Sequence, residues 1–272
     1  MNLSKYRMVV DTYAPMLGRR FRCLRDVTHR RSIQTKYGFT LAGDPVMAKE
    51  GYETDEIKAF LELTKTHDAV LDIGANVGLY TCLAGSCGKH TIAIEPAPRN
   101  LKYLYRNIRE NKFICVQVYP FGLAAQRGLG HIYGYGGTSS FVPGWAQARK
   151  SHSTLVEMAT LDIITSGGFQ HQKLLIKIDV EGYELDLLAG AAATLEMNPK
   201  PTWLVEIQLS GELIPGGVNR RFADVFQVFW KRGYHCQRID AARTSVEPED
   251  VSRWIANGVV DADSHDFLFT AD

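Results

Sequence analysis

The sequence has no run of 18 apolar residues anywhere in its 272 positions, so a membrane-spanning helix is not expected. Its first residues carry no apolar core of the kind a secretory leader needs, so a leader is not expected either. Cysteine is scarce. Cys23, Cys82, Cys87, Cys115 and Cys236 are odd in number and lack the paired spacing of a zinc site, so they read as small buried residues of a reducing cytoplasm. The G-x-x-x-x-G-K-[ST] phosphate loop is missing, and so is the G-x-G-x-x-G turn of dinucleotide sites. No internal repeat and no low-complexity tract interrupts the chain.

Excess charge of one sign is missing too, with a formal net charge of +1. That balance hides an asymmetry. Residues 1–36 hold nine of the 31 Lys and Arg but two of the 30 acids, and Arg19, Arg20, Arg22, Arg25, Arg30 and Arg31 are the densest part. Such a run fits an anionic partner, such as a phosphorylated or lipid-linked acceptor or a membrane surface. The plainer reading, and the preferred one, is a solvated extension that pairs with the acidic body or with another subunit. Aromatics are sparse within the run, so nucleic acid is not an expected partner.

What the chain does have is hydrophobic periodicity that alternates between strand and helix. Tyr6 to about Leu24 reads as a helix kinked at Pro15, and Ile33 to Leu41 as a strand or hairpin. Thr54 to Thr64 reads as a helix with Thr54 as N-cap, able to lie over a bound cofactor. Strands are then expected at 68–73, 91–94, 114–119, 128–135, 154–159, 174–179, 203–208, 234–239 and 266–269. Helices are expected at 77–87, 98–111 and 222–230, with a short one from Asp162 and one carrying Leu185, Leu188, Ala192 and Leu195 that stops before Pro199. This alternation predicts an α/β, doubly wound, seven-stranded mostly parallel sheet with helices on both faces. The reading divides the chain into a basic extension, 1–53, and a main domain, 54–272.

The most informative stretch is Val70-Leu-Asp-Ile-Gly-Ala-Asn-Val-Gly78, a buried strand that ends in an acid and enters a glycine turn. About twenty residues on, Thr91-Ile-Ala-Ile94 ends in Glu95-Pro96. A strand, a glycine turn, a helix and an acid at the tip of the next strand form a nucleoside site. The turn discriminates among cofactors. Asn76 stands where a dinucleotide site has its second glycine, and Leu79 where it has its third. A cofactor without a diphosphate is therefore expected, and S-adenosylmethionine fits. Glu95 is placed to accept both ribose hydroxyls. The backbone of Gly74, Ala75 and Asn76 can face the methionine end, with Asp72, Gly78 and Pro96 shaping the turns around it. Tyr80 and Thr81 either reach that end or pack in the core. Phe121-Gly122 follows the third strand, where an open backbone at Gly122 suits a flat adenine.

These residues resemble the FkbM-type S-adenosylmethionine-dependent methyltransferases. The resemblance rests on Asp72-Ile-Gly-Ala-Asn-Val-Gly78, Ala93-Ile-Glu-Pro96 and Ile176-Lys-Ile-Asp-Val-Glu-Gly182, with Glu184 and Leu188 following. Gly137-Thr-Ser-Ser140, Thr160-Leu-Asp162, Leu204-Val-Glu-Ile207 and Asp266-Phe-Leu-Phe269 keep the family's order, and the similarity covers roughly residues 37 to 270. It implies a Rossmann-like methyltransferase fold and O-methylation of a hydroxyl on a sugar, glycolipid or polyketide-like metabolite. It also places the end of the 174–179 strand beside the transferred methyl, so Asp179 and Glu181 are the candidate catalytic residues, with Asp179 also near the cofactor. Helix capping is the competing reading for both acids, and the expected one for Glu184.

The base that takes the hydroxyl proton is open among Asp179, Glu181 and Glu206, with His131 and His152 as outsiders beside the glycine-rich 134–144 loop. That loop reads as flexible and able to close as a lid over cofactor or acceptor. Lys177, inside an apolar strand, is expected to pair with Asp179 or Glu206. No third acid accompanies Asp179 and Glu181, so no metal is expected. The N-P-P-Y and D-P-P-Y signatures of base-methylating enzymes are missing, Asp179-Val-Glu-Gly182 standing in their place. An N-methyltransferase of another small molecule or macromolecule, and a non-catalytic cofactor-binding scaffold, are the alternative functions. A homo-oligomer is left open.

Overall fold

A computed structural model of the protein describes residues 31–148, 153–240, 242–261 and 264–271. The helix expected at Tyr6 to Leu24, the arginine-rich run up to Arg30 and His152 lie outside these residues. In chain order, the short hairpin strands β1 (Ile33–Gln34) and β2 (Thr40–Leu41) precede α1 (Thr54–Thr64), β3 (Ala69–Ile73), α2 (Leu79–Ser86), β4 (His90–Ile94) and α3 (Pro98–Glu110). Next come β5 (Val116–Tyr119), β6 (Gly122–Leu123), β7 (Gly128–Tyr133), β8 (Ser153–Ala159), α4 (Leu161–Thr165), β9 (Leu174–Ile178) and α5 (Glu184–Leu188). The chain closes with β10 (Thr202–Glu206), α6 (Phe222–Trp230), β11 (His235–Arg238), α7 (Pro248–Asn257) and β12 (Asp266–Thr270).

The main sheet has seven strands in the order β11-β12-β10-β9-β3-β4-β5. β10, β9, β3, β4 and β5 run parallel, while β12 is antiparallel to both β10 and β11. Helices cover both faces. On one, Leu187 and Leu188 of α5, Phe222, Phe226 and Phe229 of α6 and Trp254 of α7 pack on Ala69, Leu71, Ile176 and Ile178. On the other, Ile57 and Phe60 of α1 and Leu79, Tyr80 and Leu83 of α2 pack on Val70, Leu175, Leu204 and Leu268. This is the expected doubly wound, Rossmann-like arrangement. β3 and β9 are buried along their whole length, as central parallel strands covered on both faces must be. Chain order reverses between β3 and β9, so the crevice beyond their carboxyl ends is where a ligand fits such a sheet.

The hairpin before α1 is fastened to this body by amides. Asn107 donates from Nδ2 to the carbonyls of Ala42 and Val77, while its Oδ1 accepts from Ala42 N. β6, β8 and β7 form a separate three-stranded sheet beside the main one. Among the described residues no helix is long and apolar enough to cross a membrane.

Two local expectations need correction, and one helix is an addition. The helix read through Leu185 to Leu195 is broken. α5 stops at Leu188, and a separate 3₁₀ turn covers Thr194–Glu196. The Gly190 carbonyl accepts from Asp162 N, and the Asp162 carboxylate accepts from the N–H groups of Ala193 and Thr194, which starts a new turn there. Thr54 is the first helical residue of α1 rather than its cap; Glu53, in a left-handed conformation (φ 39°), holds that position. α7 was not expected from the sequence. It begins with a capping box in which Glu247 and Asp250 exchange side chain–backbone bonds, with Pro248 at the helix start.

Candidate active site

The turn after β3 takes its shape from two close approaches. Gly74 has φ 81°, and a Cβ there would lie 1.7 Å from the Asp179 carbonyl oxygen, so no other residue lets β3 exit this close to the end of β9. Asn76 follows with φ 52°, a left-handed conformation that Asn tolerates better than most residues. Glu95, directly after β4, holds the turn from the other side. Its Oε2 accepts from Asn76 N at 2.7 Å and its Oε1 from Ala97 N at 2.7 Å. Burial pushes this carboxyl up to about 7, and the two backbone N–H groups oppose the shift.

A pocket with about 540 Å³ of empty space, partly open to solvent, sits over this turn. Gly74, Asn76, Glu95 and Pro96 form one wall, and Phe121, Gly122 and Phe141 another. Asp179, Val180 and Glu181 close the β9 end, while Gly136, Gly137 and Ser139 lie across the top.

Of the residues proposed from the sequence, Gly74, Asn76, Glu95, Pro96, Gly122, Asp179 and Glu181 line this pocket. Asp72, Ala75 and Gly78 do not. Asp72 is buried and accepts from Thr81 Oγ1 at 2.5 Å, so it ties β3 to α2. Ala75 packs with Ala93 and Leu104. Gly78 takes φ 95° before α2, and a Cβ there would meet Leu104 Cδ1 at 2.5 Å. The open backbone expected at Gly122 is covered, since a Cβ there would lie 2.5 Å from the Phe141 ring and 2.6 Å from Met158 Sδ. His131 is exposed on β7 with Nδ1 3.1 Å from Ser153 Oγ, away from the pocket wall.

The segment over the pocket is pinned down rather than hanging free. Ser140 Oγ donates to the Glu181 carbonyl at 2.6 Å and Trp145 Nε1 donates to Glu181 Oε2 at 2.7 Å. A Cβ on Gly182 would lie 2.3 Å from the Trp145 ring. The Glu184 carboxylate accepts from Gly182 N at 2.8 Å, consistent with a structural role in the same turn. On the far side, Asn100 Nδ2 donates to the Gly136 carbonyl at 3.2 Å. Asn100 escaped the sequence reading. It is buried, it lines the pocket, and its Oδ1 has no hydrogen-bond partner. Its position five residues after Glu95, in the first turn of α3, was the available signal.

Beyond Asp179 the sheet face turns polar. The register sets Asp72 beside Lys177, and Glu206 beside Asp266. Lys177 Nζ lies 3.8 Å from Asp179 Oδ2 and 3.8 Å from Asp266 Oδ1. The expected Asp179 partner is therefore present, and Asp266 is the second partner that the sequence did not suggest. Tyr52 and Glu53 approach from before α1, and Tyr80 donates its hydroxyl to Glu53 Oε2 at 2.6 Å. Burial and then the charge of Glu206 hold the Asp179 carboxyl well above the usual range, with Lys177 opposing. Burial and Asp179 push Glu181 up to about 8. Burial and Asp266 push Glu206 up to about 7. Such displaced carboxyls around one cleft are the groups from which a proton acceptor is drawn.

A model of the methyltransferase FkbM domain matches residues 72–236. The hexuronic acid methyltransferase AglP of Haloferax volcanii is 26% identical over 150 residues, covering 53% of this chain and 58% of that protein. A solved FkbM methyltransferase from Methylobacillus flagellatus is 18% identical with TM-score 0.40, over 75% of this chain and 44% of that one. A ribosomal protein L11 methylase from Lactobacillus delbrueckii subsp. bulgaricus is 10% identical with TM-score 0.43, over 84% and 83% of the two chains. With more than half of its length matched by that domain, the chain belongs to the FkbM methyltransferase family.

Proposed function

We propose that this pocket binds S-adenosylmethionine and that the protein methylates a hydroxyl group of a sugar, glycolipid or polyketide-like metabolite. The observation that carries the reading is Glu95. Its two oxygens each accept a backbone N–H and the Asn100 side chain bonds the same carboxylate, which leaves acceptor capacity at the pocket for the hydroxyls of a ribose. Asn100, whose buried Oδ1 has no hydrogen-bond partner, lines the same pocket and is a second acceptor there. With the ribose at β4, the strand order carries the methionine end toward Gly74 and Asp179. The cofactor supplies a methyl group on a positively charged sulfur, an electrophile that needs no further activation.

The protein supplies alignment, dryness and a base. Gly74, Asn76 and Glu95 form a preset cradle, and alignment of this kind supplies on the order of 7–11 kcal/mol in well-oriented systems. The segment pinned over the pocket by Ser140 and Trp145 limits the access of water. Asp179 is the proposed proton acceptor, because it lines the pocket and a third of its side chain is exposed there. The name of the Haloferax relative supports a saccharide acceptor. The test is calorimetric titration with S-adenosylhomocysteine, followed by an acceptor screen with Asp179→Asn beside the wild type. Micromolar binding with turnover lost mainly in the variant is expected. A folded wild type that binds no product nucleoside refutes the cofactor, and equal turnover by Asp179→Asn refutes the base.

A further inference from the structure

We propose that Lys177 is a positioning residue for methyl transfer: its buried ammonium, backed by Asp266, holds Asp179 toward the pocket as an anion that faces the donor's positive sulfur and receives the acceptor's proton. The inference rests on the cofactor reading above.

Lys177 sits in the middle of β9 among Leu174, Leu175, Ile176 and Ile178, and 2% of its side chain is exposed. An isolated ammonium in such a place is costly to bury, so its presence calls for compensating charge. Two carboxylates provide it from different strands, Asp179 just past β9 and Asp266 at the start of β12, each 3.8 Å away. The Tyr80 ring lies under the ammonium, with its centroid 4.5 Å off. The triad is open at one end. Asp266 is 9% exposed and lies behind, whereas Asp179 is 33% exposed and lines the pocket. Lys177 and Asp179 are two residues apart, so they share a sheet face, and the side chain beyond the ammonium is the one that meets ligand.

Other groups bear on Asp179. Glu206 approaches from β10, Glu53 and Tyr52 from before α1, and Tyr80 from α2. Glu181 and Glu184 lie in the turn after β9, and Asp72 faces Lys177 from β3. Burial and these acids favour the protonated carboxyl, and Lys177 is the cation that opposes them. When the hydroxyl oxygen takes the methyl, the C–S electron pair stays on sulfur and the hydroxyl proton passes to Asp179. An anionic Asp179 before that step, and a neutral one after it, match the loss of charge from the sulfur.

The test needs no acceptor. The ratio of affinities for S-adenosylmethionine, with its cationic sulfur, and S-adenosylhomocysteine, with a neutral one, is measured by calorimetry from pH 6 to 9. In the wild type this ratio is expected to rise with pH as the acids around the pocket, Asp179 with Glu181, Glu206 and Asp266, lose their protons. Lys177→Met is expected to move the midpoint up by at least one pH unit, with Lys177→Arg restoring it. Asp266→Asn removes an anion from the rear and is expected to move it down. A purely structural lysine gives no such opposite shifts. Midpoints within 0.3 pH unit of wild type overturn the proposal, and Asp266→Asn alone decides it if Lys177→Met does not fold. A wild type that binds neither nucleoside overturns the cofactor reading, and this inference with it, whereas a wild type that binds both with a pH-independent ratio overturns only the inference.

Discussion

Replacing Glu95 with alanine is expected to separate the stability of the site from its affinity, because the two respond to pH in opposite directions. The carboxylate is the partner of two backbone N–H groups, Asn76 and Ala97. Leaving each without a partner costs about 1–3 kcal/mol, so the bare loss is about 2–6 kcal/mol. Against this stands the expense of burying the charge itself. The folded carboxyl is pushed from 4.5 up to about 7 by burial. A raised folded value gives the wild type extra stability that is fully present below pH 4.5 and lost as pH rises through 7. At 1.36 kcal/mol per unit this is on the order of 3 kcal/mol. The variant is therefore expected to trail the wild type by about 2–6 kcal/mol at acid pH, and by about 3 kcal/mol less at pH 8. Urea denaturation at pH 4.5 and pH 8 reads this difference. Affinity for S-adenosylhomocysteine is expected to fall at least tenfold in the variant, about 1.4 kcal/mol, and wild-type affinity to weaken as pH drops below 7. A stability gap independent of pH, or a folded variant that binds within threefold of wild type, refutes the reasoning.

Asn100→Leu, which removes the unpartnered Oδ1 and the bond to Gly136, is expected to weaken product binding by about 1–2 kcal/mol in calorimetry, and unchanged affinity removes Asn100 from the site. Gly182→Ala drives a Cβ into the Trp145 ring at a position with φ 89°, and is expected to free the 134–148 segment for proteolysis. A cleavage rate equal to wild type shows that Trp145 does not anchor that segment. Asn107→Ala breaks three bonds between α3, Ala42 and Val77 and is expected to lower stability by about 2–4 kcal/mol while leaving the pocket chemistry alone. A change of less than 0.5 kcal/mol by urea denaturation contradicts that role.

The central fold is legible in the sequence because β3 and β9, buried on both faces, read as apolar but for Asp72 and Lys177, and because Glu95 and Asp179 directly follow apolar strands. What local pattern cannot carry is which strand neighbours which. The Lys177–Asp266 pair depends on β12 returning antiparallel beside β10, about ninety residues downstream. Gly122 illustrates another gap. A glycine signals a close approach but not the identity of what approaches, here Phe141 and Met158. The break after α5 was hidden for a similar reason, since Leu185, Leu188, Ala192 and Leu195 keep helical spacing while Asp162, from another part of the chain, captures the Ala193 and Thr194 N–H groups. Tyr52 and Glu53 join the acid cluster only through the packing of the segment before α1, which no spacing in the sequence discloses.

The most direct test is a crystal structure of the protein grown with S-adenosylhomocysteine. The ribose hydroxyls are expected within about 3 Å of the two Glu95 oxygens, with the sulfur turned toward Asp179. A nucleoside bound elsewhere, or one whose ribose turns away from Glu95, contradicts the assignment of this pocket.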